Sequence, residues 1–435
     1  MLTYLYPPLI GPASLRAAGF SDALRAFGWT PVVIAPADGF FHRAPIDAPA
    51  GVRVVRTRSV ELSRLVRRVY SAARRRPDVA DGFAVEPVRV GPVGGTLRRL
   101  LHNVLYVPDG QVGWIPFAVH AGAKVLAATA GERVLFSSSV PYSSHLAAMW
   151  LARRFHVPWV AEFRDDWTTV DESLRKNTRW RTALDRRVEG AILRRSDAVV
   201  VTAERTRNTM LAAFPSLRPD KIHVVLSGFD PFPPGVPPSP TEPMTILYAG
   251  TLYPRDDMEP LMCALDLVER RRAGSLRFRV AGPAGAWERY VEADPRRRRW
   301  SDFLGVLKPQ DAEAEAARSS ALLLHRPDPA LAGFLAGKIF TYIGARRPVL
   351  AIIAPGTEME ALLRRHADVH SVHRYTVDAV VAAVEELLAE HRAGRLAIPS
   401  VNEDTVRPLY RREQARRLAG ILRNAIETAS TGRSS

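Results

Sequence analysis

The chain has 435 residues, with 61 Lys plus Arg against 45 Asp plus Glu and a formal charge of +16, a length that favours two or three domains. Hydrophobic residues make up 47% and charged residues 24%, enough to bury a core and too apolar for a disordered chain. A lone cysteine, Cys263, excludes a disulfide framework and a cysteine-built metal cluster.

Short apolar runs rich in β-formers alternate with longer helical patterns from the start, the signature of parallel α/β layers. The predicted strands of the first half are 2–6, 32–35, 52–55, 134–137, 159–163, 198–202 and 222–226. Helices are predicted over 12–27, 115–128, 143–155, 179–195 and 204–214. Residues 229–243 then hold seven prolines in fifteen positions, which neither a helix nor a central strand tolerates, so a stiff linker is expected. Beyond it the alternation resumes. Strands are predicted at 245–249, 277–281, 302–305, 321–324 and 348–353, and helices at 258–272, 310–318, 334–345, 357–366 and 377–391. A last helical pattern covers about 404–429, and the small polar tail 430–435 is expected to be disordered. The expected fold class is α/β, two Rossmann-like doubly wound domains facing across a cleft, since ligands of open parallel sheets bind outside the carboxyl ends of the strands.

No apolar run nears the roughly 18 residues that span a bilayer. The start MLTYLYPPLIGPAS lacks the basic and long apolar regions of a signal peptide. A soluble cytoplasmic protein is expected. Only five of the basic residues are Lys, at 124, 176, 221, 308 and 338. The arginines are dispersed and carry no aromatic-interleaved repeat, so no nucleic-acid partner is expected. A basic surface of this kind suits peripheral contact with anionic lipid at the inner face of a membrane, at roughly 1 kcal/mol per well-placed Lys or Arg.

Five stretches carry polar chemistry at predicted strand ends. Tyr6-Pro7-Pro8-Leu9-Ile10-Gly11 precedes a helix start with Arg16 about one turn in, where amides and a cation can meet an anion. Ser137-Ser138-Ser139-Val140-Pro141-Tyr142 offers Ser138 and Ser139 to sugar hydroxyls, although serines there also cap helices; His145 reads as a packed core histidine. Glu162-Phe163-Arg164-Asp165-Asp166-Trp167 ends an apolar strand with charges that are costly unless paired or functional. An Asp there could take a proton from an attacking hydroxyl, and Arg164 could hold that Asp ionised or neutralise phosphate. Ala249-Gly250-Thr251 with Arg255 opens the second half, and Gly333 to Gly337 lead into a helix with Lys338 in its early turns. Helix amides, Lys338 and Arg255 together could stabilise a departing diphosphate without a metal. Neither an Asp-x-Asp spacing nor a His/Glu set supports a metal cage. Segment 56–114, rich in Arg and carrying Tyr106 and Trp114, is expected to shape the acceptor side.

Taken together, YPPLIGPAS, PDGQVGWIPFA, FSSSVPYSSHLAA, PWVAEFRDDW, RRSDAVVVTAE, KIHVVLSGFDP, ILYAGTLYPR and AGKIFTYIGARRPVLAI resemble, in order and spacing, the two-domain GT-B glycosyltransferases of the broad group-4, retaining type. The resemblance covers about 1–395. It implies an acceptor-side domain at 1–228, the linker at 229–243, a donor-side domain at 244–400, and a C-terminal helix, 401–429, packing back toward the first domain. It implies a nucleotide sugar and a hydroxyl acceptor as partners, no cofactor beyond that co-substrate, and transfer with retention. Gly11, Arg16, Gly250, Thr251, Arg255, Lys338 and Thr341 would face the donor; Arg164, Asp165 and Asp166 the reacting centre; Ser138, Ser139, Tyr142 and Trp114 the acceptor. Three positions depart from the pattern. Thr341 stands where a ribose-binding Glu is usual, Gly333 where an acid is frequent, and Ser227 where Asn precedes Gly. Thr can make one hydrogen bond without the carboxylate's charge, a difference on the order of 1–2 kcal/mol in donor affinity. These departures motivate the alternative of a GT-B-fold binding or scaffolding protein with impaired catalysis.

Overall fold

The computed structural model describes residues 1–9, 12–37, 46–60, 106–170, 177–233, 236, 239–252, 257–331, 333–396 and 402–431. Two units divide the chain, Met1–Ser227 with Arg411–Ser435, and Gly228–Tyr410.

The first unit runs β1 (Leu2–Thr3), α1 (Pro12–Ala23), β2 (Val32–Pro36), β3 (Arg53–Thr57), α2 (Ile115–Ala128), β4 (Leu135–Ser138), α3 (Ser143–Phe155), β5 (Trp159–Phe163), α4 (Arg179–Arg195), β6 (Ala198–Val201), α5 (Glu204–Ala213) and β7 (Ile222–Val224). Its sheet has the order β3-β2-β1-β4-β5-β6-β7, and its paired strands are parallel. The central strands β4, β5 and β6 are buried along their whole length, as near-continuous apolar runs must be when helices cover both faces.

The second unit runs β8 (Met244–Ala249), α6 (Glu259–Arg271), β9 (Leu276–Ala281), α7 (Ala286–Glu292), β10 (Ser301–Gly305), α8 (Pro309–Arg318), β11 (Ala321–Arg326), α9 (Lys338–Ala345), β12 (Val349–Ile353), α10 (Glu358–His366), β13 (Val369–Val372), α11 (Val377–Arg392) and α12 (Glu403–Val406). The sheet order is β10-β9-β8-β11-β12-β13, again parallel. The chain then adds α13 (Arg411–Thr431) to the first unit. There Leu418, Ala419, Leu422 and Ala425 recur at helical spacing and pack with Phe20, Leu24, Val200 and Val225.

The class of two doubly wound α/β domains is therefore as the sequence predicts, and several element bounds differ. β1 ends at Thr3 rather than 6, because the Thr3 hydroxyl turns to the Leu5 carbonyl (3.1 Å) and two prolines without N–H groups follow. The helix predicted at 334–345 begins only at Lys338, after Gly337. The pattern at 404–429 is broken around Pro408 into α12, a 3₁₀ turn over Arg407–Leu409, and α13. α13 continues through Ser430 to Thr431, so the predicted disordered tail begins too early; 432–435 lie outside the described residues. Strand β13 and helix α7 were not anticipated. Among the described residues no helix is long and apolar enough to cross a membrane.

Candidate functional site

In the first unit, the carboxyl ends of β4 and β5 gather most of the residues singled out above. Glu162, near the end of β5, is buried and fully engaged. Its Oε1 accepts from Arg16 Nε (3.1 Å) and Nη2 (2.7 Å), and its Oε2 from the Ser138 hydroxyl (2.6 Å). Arg16 Nη2 also donates to the Val225 carbonyl (2.8 Å), and Nη1 to Ser227 Oγ (3.5 Å). A desolvated ion pair is tolerated only when its remaining hydrogen bonds are made. Here they join α1, β4, β5 and the chain after β7.

Above this pair the strand releases Arg164, Asp165, Asp166 and Trp167. Arg164 Nε donates to the Ser139 carbonyl, and the Thr202 hydroxyl donates to the Arg164 carbonyl (2.8 Å). The Tyr142 ring stacks on Trp167, centroids 4.1 Å apart and planes within 8°, and its hydroxyl donates to the Asp166 carbonyl (3.2 Å). Ser139 Oγ donates to the Glu162 carbonyl (3.2 Å). Burial pushes the Arg164 guanidinium down from its usual range, with Asp165 opposing. Burial raises the Tyr142 phenol well above its ordinary value, and nearby carboxylates add to this. Asp166 is raised by burial and by the charge of Asp165, opposed by the Thr206 hydroxyl and Arg205. Trp114, expected on the acceptor side, lies wholly in the core, edge-on to Tyr4 with its indole N–H on Thr57 Oγ1 (2.8 Å). His145 is a core histidine, as read, with Nδ1 on Ser137 Oγ (2.8 Å) and burial pushing it down to about 3.

In the second unit the carboxyl ends of β8 and β9 come into backbone contact. Gly250 N–H donates to the Ala281 carbonyl (2.8 Å). Gly250 and Gly282 adopt φ of 131° and 146°, and a Cβ at Gly282 would fall 2.2 Å from the Gly250 carbonyl oxygen, so glycine alone fits. Lys338, the first residue of α9, reaches over this edge. Its Nζ lies 3.4 Å from the centroid of the Tyr248 ring and 3.1 Å from where a Gly250 Cβ would sit. The ammonium thus lies at the positive dipole end of α9, over the face of the Tyr248 ring. Thr251 and Thr341 are half-buried. Below Thr341, the Tyr342 hydroxyl accepts from Ala249 N–H (3.0 Å) and donates to the Leu323 carbonyl (2.9 Å), locking α9 to the sheet. His325, at the end of β11, is buried edge-on to Tyr375 and depressed to about 3 by burial, with the Lys338 charge adding.

Gly11 and Arg255 lie outside the described residues, as does most of segment 56–114. Arg16, Ser138, Ser139, Tyr142, Arg164, Asp165 and Asp166 are thus grouped on the first unit, and Gly250, Thr251, Lys338 and Thr341 on the second. Sequence reasoning passed over three acids. Glu162 gives no sign in the sequence that it is the partner of Arg16. Asp109 caps α3 by accepting from Ser143 N–H (2.8 Å) and Oγ (2.6 Å). Glu189 sits on the buried face of α4 with Asp185, Ile192 and Leu193. Its signal was legible, since positions 185, 189, 192 and 193 share one helical face. Among the described residues, the one His/carboxylate group close enough to hold a cation is Asp368, His370 and Glu390. It sits at the amino end of β13, away from the strand ends just described.

Residues 99–231 match the family model described as Glycosyltransferase Family 4. Over 100% of this chain and 97% of its own, sucrose-phosphate synthase from Thermosynechococcus elongatus superposes with a TM-score of 0.60 at 14% identity. Anabaena HepE in complex with UDP and glucose gives 0.56 at 13% identity, covering 100% of this chain and 98% of that one. The lipopolysaccharide outer core galactosyltransferase WaaB, in its apo form, gives 0.52 at 12%, covering 98% of each. No curated protein sequence matches. At such identities the structural likeness fixes the fold, which is the two-domain GT-B architecture. The segment that matches the family model falls almost wholly in the first unit, so the chain is similar to group-4 glycosyltransferases there and shares the GT-B fold throughout.

Proposed function

We propose that the protein transfers a sugar from a nucleoside diphosphate donor to a hydroxyl acceptor, without a metal and with retention, binding the donor on the second unit and the acceptor on the first. The observation that carries this reading is the anion-suited corner of the second unit. There Lys338, the N-terminus of α9 and the bare backbone at Gly250 and Gly282 converge at the carboxyl edge of the sheet. In such a corner negative charge developing on a departing diphosphate meets preorganised positive charge. Asp165 and Asp166, on a turn pinned by Tyr142, Arg164 and Thr202, supply a carboxylate to take the acceptor's proton. The UDP complexes of Anabaena HepE and of a pneumococcal O-GlcNAc transferase, GtfA, support a nucleotide sugar as the co-substrate. The dispersed basic charge suits an acceptor held at an anionic membrane surface.

The test is a panel of UDP-, GDP- and ADP-sugars, scored by release of the nucleoside diphosphate with and without EDTA, and by the anomeric configuration of the product. Lys338→Ala is expected to lower kcat/KM by roughly 100- to 1,000-fold with the circular dichroism spectrum unchanged. Full turnover in that variant rejects the reading. Tight nucleotide binding with no turnover on any acceptor would favour the scaffolding alternative.

A further inference from the structure

We propose that Glu189 is a positioning residue that sets the Asp165–Asp166 turn from beneath, a role that rests on the acceptor-side reading of that turn. Glu189 is fully buried on α4. Its Oε2 accepts both the backbone N–H of Thr168 (3.2 Å) and the Thr168 hydroxyl, two residues beyond Asp166. Among the described residues, Tyr142, Arg164 and Thr202 support the turn through neutral hydrogen bonds, a ring stack and a guanidinium, whereas Glu189 grips it with a carboxyl group. Its Oε1 is buried with no hydrogen-bond partner, and so is Oδ1 of Asp166. A buried carboxylate oxygen without a donor is costly in the ionised form and tolerable when the group carries a proton.

The charged and titratable groups around Glu189 agree. From the turn, Asp166 opposes its ionisation; from its own helix, Arg186 favours it; from the start of α3, the Tyr142 phenol faces it. Burial, the largest influence, pushes Glu189 up to about 7. In its protonated form Glu189 leaves the underside of the turn uncharged. Ionisation above neutrality puts a second charge against Asp166 and loosens the turn.

Trp167, stacked on Tyr142 next to Thr168, reports this without any substrate. Intrinsic fluorescence of the full chain is titrated from pH 5 to 9 in the wild type, Glu189→Gln, Glu189→Ala, Thr168→Val and Trp167→Phe. The expected result is a transition centred near pH 7 in the wild type that disappears in both Glu189 variants and in Trp167→Phe, and persists at a shifted midpoint in Thr168→Val. No wild-type transition, or one that survives in Glu189→Gln, overturns the proposal. In the donor panel, Glu189→Ala is expected to lower kcat at least tenfold, with Gln restoring it to within about threefold at pH 6. Equal turnover in Glu189→Ala and wild type overturns the positioning role. If the wild type releases no nucleoside diphosphate from any donor, the transfer reading fails, and the titration still decides the role of Glu189.

Discussion

Thr341 occupies a half-buried place on α9, one turn beyond Lys338, where the resemblance expects a carboxylate for the ribose. Its hydroxyl offers one hydrogen bond without charge assistance. Thr341→Glu should therefore tighten nucleoside diphosphate binding by about 1–2 kcal/mol, roughly five- to thirty-fold by calorimetry. Unchanged affinity would remove position 341 from the donor site. At Glu189 the consequence appears in stability as well. The folded carboxyl is raised from 4.5 to about 7, so between those values the folded state holds a proton that the unfolded chain has released. Stability contributed by this group is thus present at pH 5 and lost as the pH rises through 7. At roughly 1.4 kcal/mol per pKa unit, the wild type should lose about 3 kcal/mol relative to Glu189→Gln between pH 5 and 8. Denaturant melts of both proteins at the two pH values measure that gap; a constant difference would show that Glu189 does not titrate in this range.

At the scale of elements, α13 is the most informative. It follows the whole second unit in sequence yet completes a core of the first, where Ala415, Leu418, Ala419 and Leu422 meet Phe20 of α1 and Val200 of β6. Its Gln414 side chain also accepts the Leu226 N–H (2.7 Å). Leu418 is wholly buried. Leu418→Ala should cost about 2–5 kcal/mol by the lost burial and the cavity left behind. Chemical denaturation of the intact chain, followed by far-ultraviolet circular dichroism, would read this loss. Elements of this kind were legible where apolar periodicity alone decides them. β5, α2, α3 and α4 have the predicted bounds, since strong patterns are closed by Pro, Gly or charge. β13 escapes the sequence reading because Val369-His370-Ser371-Val372 is a short edge strand whose two middle residues are polar, leaving no apolar run. α9 was begun too early because Phe334 to Ala336 match the helical period but Gly337 and the preceding loop do not continue it. Within the site, the sequence exposed which stretches carry polar chemistry but not their commitments. Arg16 reads as an anion ligand in one dimension; only the parallel pairing of β4 with β5 and the return of the chain after β7 reveal Glu162, Val225 and Ser227 around it.

At the scale of the whole molecule, each unit has its own core. One is built around Trp159, Phe163 and Val199, the other around Phe278, Leu323 and Leu350. Two cooperative cores predict two calorimetric transitions, since domains of this size unfold as separate cooperative blocks. A nucleoside diphosphate bound only by the second unit should raise one transition and leave the other in place, by an amount that grows with the logarithm of its concentration. Movement of both, or of neither, would relocate or remove the donor site.

The return of α13 to the first unit also orders events at the ribosome. The second unit is complete in sequence by Tyr410, whereas the first still lacks the segment from Arg411. Until that helix emerges, Phe20, Leu24, Val200 and Val225 have no cover from it. The half of the protein made first therefore matures last, and the interval between the two is the time taken to synthesise the second.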